Sequence, residues 1–155
     1  MILLSEKDPD KYFMNKALAE ARHAFEEDEV PVGAIVVCNN QIIGKGYNQV
    51  EKLNDVTAHA EILAITAASA YLGSKYLQKC KIYISLEPCV MCAAAISAAQ
   101  ISEVIYAAKD PKKGYSLFKP SILHHKTIVK TGVLYEESES LLKEFFRKKR
   151  KDETN

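Results

Sequence analysis

Hydrophobic positions recur along the chain with two different periods, and the changes of period predict its helices and strands. Apolar residues at helical spacing follow Asp8-Pro9, a pair typical of a helix N-terminus, and predict a first helix to about residue 25. Two β-branched runs, 32–38 and 41–47, are separated by Asn39-Asn40 and predict a β-hairpin. A helix followed by a hairpin is therefore expected in the first third of the chain.

The rest of the chain alternates between short apolar strands and helices. The other predicted segments are a solvated acidic linker at 26–29, a loop at 48–56, a helix at 58–72, a strand at 81–86, a helix at 89–99, a strand at 103–108, a loop at 109–120, a short helix at 121–125, a strand at 127–134 and an amphipathic helix at 136–149. This alternation favours parallel strand pairing and a sheet covered on both faces. We therefore expect an α/β fold, a three-layer α/β/α sandwich in which a hairpin and βα units form a mixed five-stranded sheet.

Composition and charge are those of an ordinary globular protein. Hydrophobic residues make up 48% and charged residues 26% of the 155 residues, which suits one domain over 1–155 that includes the basic helix and tail 136–155. The net charge of +1 provides no global field for nucleic acid. The apolar stretch Met1–Leu4 is too short for a signal peptide, and no stretch approaches the ~20 apolar residues of a spanning helix. We expect a soluble, cytoplasmic protein without membrane association, and fraying at 151–155.

Two short clusters carry candidate chemistry, each where a helix is predicted to begin: Thr57-Ala58-His59-Ala60-Glu61 and Leu86-Glu87-Pro88-Cys89-Val90-Met91-Cys92. Cys89 and Cys92 lie on one side of a first helical turn, where the helix N-terminus favours the thiolates that zinc needs. His59 adds a third ligand, which leaves the fourth position for water, as in catalytic zinc sites. Glu61 is then the proton carrier, provided that His59 lies at the non-helical boundary so that both side chains face one ion.

Other interpretations of these residues stay open. The two cysteines could be a redox pair, although that chemistry has no use for the His-x-Glu sequence. On its own, His59 would be an ordinary histidine and Glu61 a solvated acid. A closed structural zinc site requires a fourth protein ligand, and Cys38 and Cys80 are better explained as core residues. The joint occurrence of both clusters favours the catalytic site.

With these motifs the chain resembles the zinc-dependent cytidine deaminase superfamily, and within it the bacterial tRNA-specific adenosine deaminases. The resemblance covers nearly the whole chain and includes Glu29-Val30-Pro31-Val32-Gly33-Ala34, Gly46-Tyr47-Asn48, Asp110, His124-His125 and Phe145-Phe146-Arg147. It implies one Zn²⁺ per subunit on the three ligands above, and Glu61 as the catalytic residue that transfers protons while the wobble adenosine becomes inosine. It also implies substrate contacts from Asn48 and Asp110, the tRNA anticodon stem-loop as partner, and a homodimer.

Two groups of basic side chains predict where RNA is bound: Lys109, Lys112 and Lys113 after the fourth predicted strand, and Arg147, Lys148 and Arg150 in the last helix. Each residue alone is ordinary solvated surface, and the second group also suits a helix C-terminus. Two local basic patches on a nearly neutral chain nevertheless favour an anionic partner.

The resemblance leaves alternatives for the function. A free-base or nucleoside deaminase acting on guanine or cytosine would use the same zinc core. Val90, where related guanine deaminases tend to have proline, and the basic C-terminal run favour tRNA instead. A noncatalytic RNA-binding subunit would not need Glu61. After His125 the chain departs from the Pro-Gly and Asn-His segment of many relatives, since Lys126-Thr127 follows directly, so its RNA contacts there are expected to differ.

Overall fold

A computed structural model describes residues 7–154 of the chain, and the stretch Met1–Leu4 lies outside them. The helices and strands, in chain order, are α1 (Pro9–Glu26), β1 (Gly33–Cys38), β2 (Gln41–Tyr47), α2 (Val50–Leu53), α3 (Ala60–Leu72), β3 (Cys80–Leu86), α4 (Val90–Ala98), β4 (Glu103–Ala108), a 3₁₀ turn (Tyr115–Leu117), β5 (Ile128–Thr131) and α5 (Tyr135–Glu153). Within residues 7–154, none of these helices combines the length and the apolar character needed to cross a bilayer.

The five strands form one mixed sheet in the order β2-β1-β3-β4-β5. β1 runs antiparallel to both β2 and β3, whereas β3, β4 and β5 are parallel to one another. Helices α3 and α4 pack in the hydrophobic cluster on one face, and α1 packs in the cluster on the other, where α5 also contacts β4. The predicted three-layer α/β/α sandwich is therefore confirmed.

Local sequence signals determine where α1 begins and how β1 turns into β2. The Asp8 side chain accepts a hydrogen bond from the Lys11 N–H at 3.1 Å, and Pro9 occupies the first turn of α1. Asn39 and Asn40 both have left-handed backbones, with φ of 51° and 58°, which asparagine tolerates and a two-residue hairpin requires. The predicted first helix and hairpin are confirmed.

Glycines in β2 let α3 lie unusually close to the sheet. A Cβ atom at Gly44 would lie 2.5 Å from the Ala64 carbonyl oxygen, and one at Gly46 would lie 2.3 Å from the Ala60 carbonyl oxygen. Ala60 and Ala64 are themselves fully buried. This close approach fixes the position of the first turn of α3 relative to the sheet.

The connections before α3 and before β5 differ from the sequence prediction. The predicted loop 48–56 contains the short helix α2, because the buried Glu29 carboxylate accepts the N–H groups of Glu51 and Lys52, each at 2.9 Å. For the same reason the segment 26–29 is not simply a solvated linker. The predicted helix at 121–125 is absent. The backbone there is irregular, and the Leu123 side chain is buried in the hydrophobic core.

The C-terminal elements also have different bounds from those predicted. The last strand covers only Ile128–Thr131, because Gly132, with φ of 89°, ends it before residue 134. Helix α5 continues to Glu153, so residues 151–153 are helical rather than frayed. Arg150 and Lys151 in its last turn favour this extension, since cations stabilise a helix C-terminus.

Candidate metal centre and active-site cleft

His59, Cys89 and Cys92 come together where two neighbouring helices begin. His59 immediately precedes α3 with extended backbone (φ −76°, ψ 153°), and Cys89 precedes α4 in the same way (φ −72°, ψ 174°). Cys92 lies in the first turn of α4. Glu61, one residue inside α3, can therefore face the same point as His59, as the sequence predicts. The strand-to-helix junctions on one face of the sheet thus bring the two sequence clusters together.

The three donor atoms have the spacing that a zinc ion requires. The His59 Nδ1 atom lies 3.7 Å from the Cys89 Sγ atom and 3.5 Å from the Cys92 Sγ atom. A tetrahedral ion with Zn–S bonds of about 2.3 Å and a Zn–N bond of about 2.0 Å separates nitrogen and sulfur ligands by about 3.5 Å. Among residues 7–154, these three side chains form the group of histidine, cysteine and acidic residues whose ligand atoms all lie within 4.8 Å of one another. One nitrogen and two sulfurs fit zinc in a three-ligand, catalytic type of site.

The two thiols differ in their readiness to ionise. The pKa of Cys89 is lowered to about 4, first by its hydrogen bond with the Cys92 thiol and then by its hydrogen bond with His59. The pKa of Cys92 is raised, because its thiol donates to Cys89 and is buried. Hydrogen bonding to Cys89 also raises the pKa of His59. Cys89 is thus a ready thiolate, and it offers negative charge to a cation at the start of α4.

Glu61 is the buried carboxyl group of the site. Only 4% of the residue is exposed, and burial is the largest cause that raises its pKa above the ordinary value. Hydrogen bonding to Cys92 and the charge of His59 act in the opposite direction. A raised pKa makes it easier for a carboxylate to take up a proton and hold it, which a general acid–base group must do.

A cleft of about 750 Å³ opens above these residues and is large enough for a nucleoside. Asn48 and Asp110, the two predicted substrate-binding residues, both line it. The Asn48 side chain donates to the Val30 carbonyl oxygen at 3.3 Å and accepts from the Val50 N–H at 3.4 Å. One carboxylate oxygen of Asp110 accepts the N–H groups of its loop at 3.0 Å each, from residues 112 and 113. Both side chains are therefore held in place by nearby backbone.

The structure separates the six predicted RNA-binding residues into two sets. Lys113 lines the cleft, whereas the others are exposed outside its lining: Lys109, Lys112, Arg147, Lys148 and Arg150. Lys148 instead lies over the Phe25 ring, 5.8 Å from its centroid. Lys149, which belongs to the same basic run of the last helix, faces the cleft and forms an ion pair with Asp28 at 2.6 Å.

Two further cleft residues were not predicted from the sequence. Glu29 and Glu87 are 1% and 3% exposed. Glu29 accepts backbone N–H groups from helix α2, and Glu87 accepts them from the loop after β4. Both lie within segments that carry the family resemblance, next to apolar residues and proline. An acid in such an apolar segment is the signal that could have identified them, because buried carboxylates need hydrogen-bond partners.

Comparison with known proteins places the chain among deaminases. Residues 7–108 match the family model for the cytidine and deoxycytidylate deaminase zinc-binding region. The tRNA-specific adenosine deaminase of Agrobacterium fabrum is 46% identical over 147 residues, which are 92% of this chain and 97% of that protein. The tRNA-specific adenosine deaminase of Aquifex aeolicus is 46% identical over 145 residues, 90% of this chain and 95% of that protein.

Solved structures of deaminases have a fold similar to that of this chain. A chain from biochemical and structural studies of A-to-I editing by tRNA:A34 deaminases superposes with a TM-score of 0.80 at 45% identity, over 84% of this chain and 99% of that chain. The guanine deaminase of Nitrosomonas europaea superposes with a TM-score of 0.74 at 26% identity, over 87% of this chain and 83% of that chain.

Proposed function

The chain belongs to the cytidine and deoxycytidylate deaminase family, and on this basis we propose that it hydrolyses adenosine to inosine at the wobble position of the tRNA anticodon. The observation that carries the proposal is the 46% identity with tRNA-specific adenosine deaminases over about nine-tenths of the chain. A free-base deaminase is less well supported, because the guanine deaminase of Nitrosomonas europaea is 26% identical and that of Bacillus subtilis, although 40% identical, covers only 63% of the chain.

His59, Cys89 and Cys92 would hold the zinc ion in this reaction. When bound there, zinc lowers the pKa of a water molecule and supplies the nucleophile for hydrolysis. Their spacing and the depressed pKa of Cys89 support this assignment. The remaining steps depend on side chains of the chain itself.

Glu61 would carry the protons. It takes up the proton that the attacking water loses and passes it to ring N1 of adenine. It then carries the second proton of that water, now on the hydroxyl group at C6, to the departing amine. Ammonia leaves and inosine remains, so the atoms of water and adenosine are all accounted for. The burial of Glu61 beside Cys92 supports this role, since it keeps the carboxyl group away from bulk solvent.

Asn48 and Asp110 would hold the nucleotide from two sides of the cleft. The first follows β2 and the second follows β4, strands that lie on either side of β1 and β3 in the sheet. The base of a single-stranded loop can enter such a cleft only after leaving its stack. The anticodon stem-loop is the proposed RNA element, and the cytoplasm is the proposed location.

Basic side chains around the cleft would contact the phosphates of the stem-loop. Lys113 lies in the cleft lining, and the exposed basic residues named above lie on the same loop after β4 and on α5. Contacts of this kind provide affinity that falls with salt and little sequence discrimination.

A homodimer is the proposed assembly. Large apolar side chains are exposed near the starts of α3 and α4 and in the loop after β4; they are Leu53, Val56, Val90, Leu117 and Phe118. Exposed apolar surface of this kind is typical of a protein interface. Light scattering of the purified protein would give twice the chain mass if the proposal holds, and the mass of one chain would contradict it.

Incubation of the zinc-loaded protein with bacterial tRNA tests the function directly. We expect inosine at position 34 of a tRNA that carries adenosine there, read as guanosine after reverse transcription. Free guanine, cytosine and adenosine in parallel reactions are expected to remain unchanged. Ammonia release from a free base, with no inosine in tRNA, would contradict the proposal and support a free-base deaminase.

A further inference from the structure

Glu87 is a buried carboxylate that the proposed chemistry does not use. It lies between the end of β3 and the zinc ligand Cys89, and its side chain reaches the loop that follows β4. One oxygen accepts the Asp110 N–H at 3.2 Å. The other accepts the Ser116 N–H at 3.0 Å and the Ser116 hydroxyl at 2.7 Å. A single carboxylate thus binds both ends of the loop 110–116.

The loop is shaped around this carboxylate. A Cβ atom at Gly114 would lie 2.2 Å from the Glu87 Oε2 atom and 2.6 Å from the Asp110 carbonyl oxygen, so any other residue would displace the carboxylate and the loop backbone. Gly114 has an ordinary φ of −60°, which means that space and not backbone conformation requires glycine there. The loop also pairs with the segment Pro88-Cys89. Gly114 forms an isolated β-bridge with Cys89, and the Tyr115 N–H donates to the Pro88 carbonyl oxygen at 3.0 Å.

This loop supplies one wall of the cleft. Asp110 and Lys113 line the cleft together with Cys89, and they belong to the segment whose two ends Glu87 holds. The Asp110 carboxylate in turn accepts the N–H groups of residues 112 and 113. Glu87 therefore fixes the ends of the loop, and Asp110 fixes the residues between them. Glu87 contacts the wall and does not belong to the group of metal-binding side chains.

We propose that Glu87 is a positioning residue, which holds the loop 110–116 against the Cys89 segment and thereby sets the affinity for the RNA substrate. This inference rests on the proposed function for its kinetic consequence. Glu87 takes no part in proton transfer, because its two oxygens are already occupied by three donors of the loop.

The substitution Glu87→Gln tests this role with little change of volume. The amide oxygen can replace one carboxylate oxygen, but the amide NH₂ group meets a donor on the other side, so one end of the loop is released. We expect the KM for tRNA to rise about tenfold, the scale of one lost hydrogen bond to a charged group, while kcat changes less than threefold. The zinc content is expected to stay at that of the unaltered protein.

Hydrogen exchange provides a readout that does not depend on activity. In Glu87→Gln the amide at the released end of the loop, that of Asp110 or that of Ser116, is expected to exchange at least tenfold faster, whereas those of β3 and β4 keep their rates. If the unaltered protein makes no inosine, the proposed function fails, and unchanged exchange at these two amides would separately overturn the positioning role.

Two further variants distinguish positioning from general stability. Glu103→Gln alters another buried acid, paired with Lys81 and Lys130 and outside the cleft lining, and should lower the melting temperature without raising KM. Ser116→Ala removes only the 2.7 Å contact and should raise KM two- to threefold alone, but by less than that when Glu87→Gln has already released one end of the loop. An unchanged KM in Glu87→Gln, a loss of zinc, or strict additivity with Ser116→Ala would each overturn the proposal.

Discussion

The metal centre and the C-terminal helix line the same cleft, yet different kinds of interaction hold them. His59 immediately precedes α3 and Cys92 lies in the first turn of α4. Both helices pack in the core, and α3 lies directly against β2 at the glycines of that strand. The outer wall, formed by the C-terminal half of α5, rests on an edge-to-face contact of Phe145 with Phe25 and on the exposed ion pair of Lys149 with Asp28.

This difference has a consequence for how each region tolerates change. In a closely packed core, a change of side-chain volume displaces the neighbouring helices. Such a displacement moves the zinc-binding atoms at the starts of α3 and α4 directly. Exposed ion pairs contribute little and can be replaced by water and salt. We therefore expect substitutions at the centre to abolish the reaction or to slow it strongly, and substitutions of exposed residues on α5 to change only the affinity for RNA.

The largest effect is expected from Cys92→Ala. Removal of one sulfur leaves two protein ligands, so zinc should fall from one per chain to a trace and inosine formation should fall below detection. Metal analysis of the purified variant measures the first, and the tRNA assay measures the second. Cys80→Ala is the matched control, because Cys80 is equally buried but lies outside the cluster. Full zinc content in Cys92→Ala would show that this sulfur is not a ligand.

Glu61→Gln separates metal binding from proton transfer. The amide has nearly the same size but cannot carry a proton, so kcat should fall by roughly 10²- to 10⁴-fold while zinc stays bound. Single-turnover rates with tRNA and metal analysis on the same sample would show this split. If the variant kept more than a tenth of the normal rate, another group would have to carry the proton.

Gly46→Ala tests whether the packing of α3 fixes the centre. The added Cβ atom would lie 2.3 Å from the Ala60 carbonyl oxygen, next to His59 and Glu61. We expect a loss of about 1–3 kcal/mol in the free energy of unfolding, as for other overpacked cores, and a kcat about tenfold lower. Gly44→Ala meets α3 one turn further from the site, at the Ala64 carbonyl oxygen, and should destabilise the protein similarly with less loss of kcat. Equal kcat in the two variants would remove the link between packing and catalysis.

The smallest effect is expected on α5, from the double variant Arg147→Ala/Arg150→Ala. The dissociation constant for tRNA should rise a fewfold, and the slope of its logarithm against the logarithm of salt concentration should fall by about one for each charge that contacts a phosphate. kcat at saturating tRNA should not change. Lys75→Ala, beyond the C-terminal end of α3, is the control. A double variant with the salt slope of the unaltered protein would exclude both arginines from the RNA contact.

Much of the centre could be predicted because its signals are local in sequence. The spacing of Cys89 and Cys92, the His-x-Glu sequence and the position of both clusters at helix starts require only helix geometry and the ligand chemistry of zinc. The hairpin was equally predictable, since Asn39-Asn40 between two β-branched runs favours one type of turn.

The cleft walls were harder to predict because long-range contacts shape them. Helix α2 depends on Glu29, more than twenty residues away, and the loop 110–116 depends on Glu87 at a similar distance. The rotation of α5 about its own axis is a second example. The basic run identified a charged helix, but a rotation of about 100° per residue decides that Lys149 faces the cleft and Arg147 does not. The packing of α5 on β4 and of Phe145 against α1 determines that rotation.

X-ray absorption at the zinc edge of the purified, zinc-loaded protein tests the arrangement of the centre most directly. The account predicts two sulfur ligands at about 2.3 Å and two lighter ligands at about 2.0 Å, one of them an imidazole whose signal disappears in His59→Ala. Three or four sulfur ligands, or a spectrum that His59→Ala leaves unchanged, would contradict it.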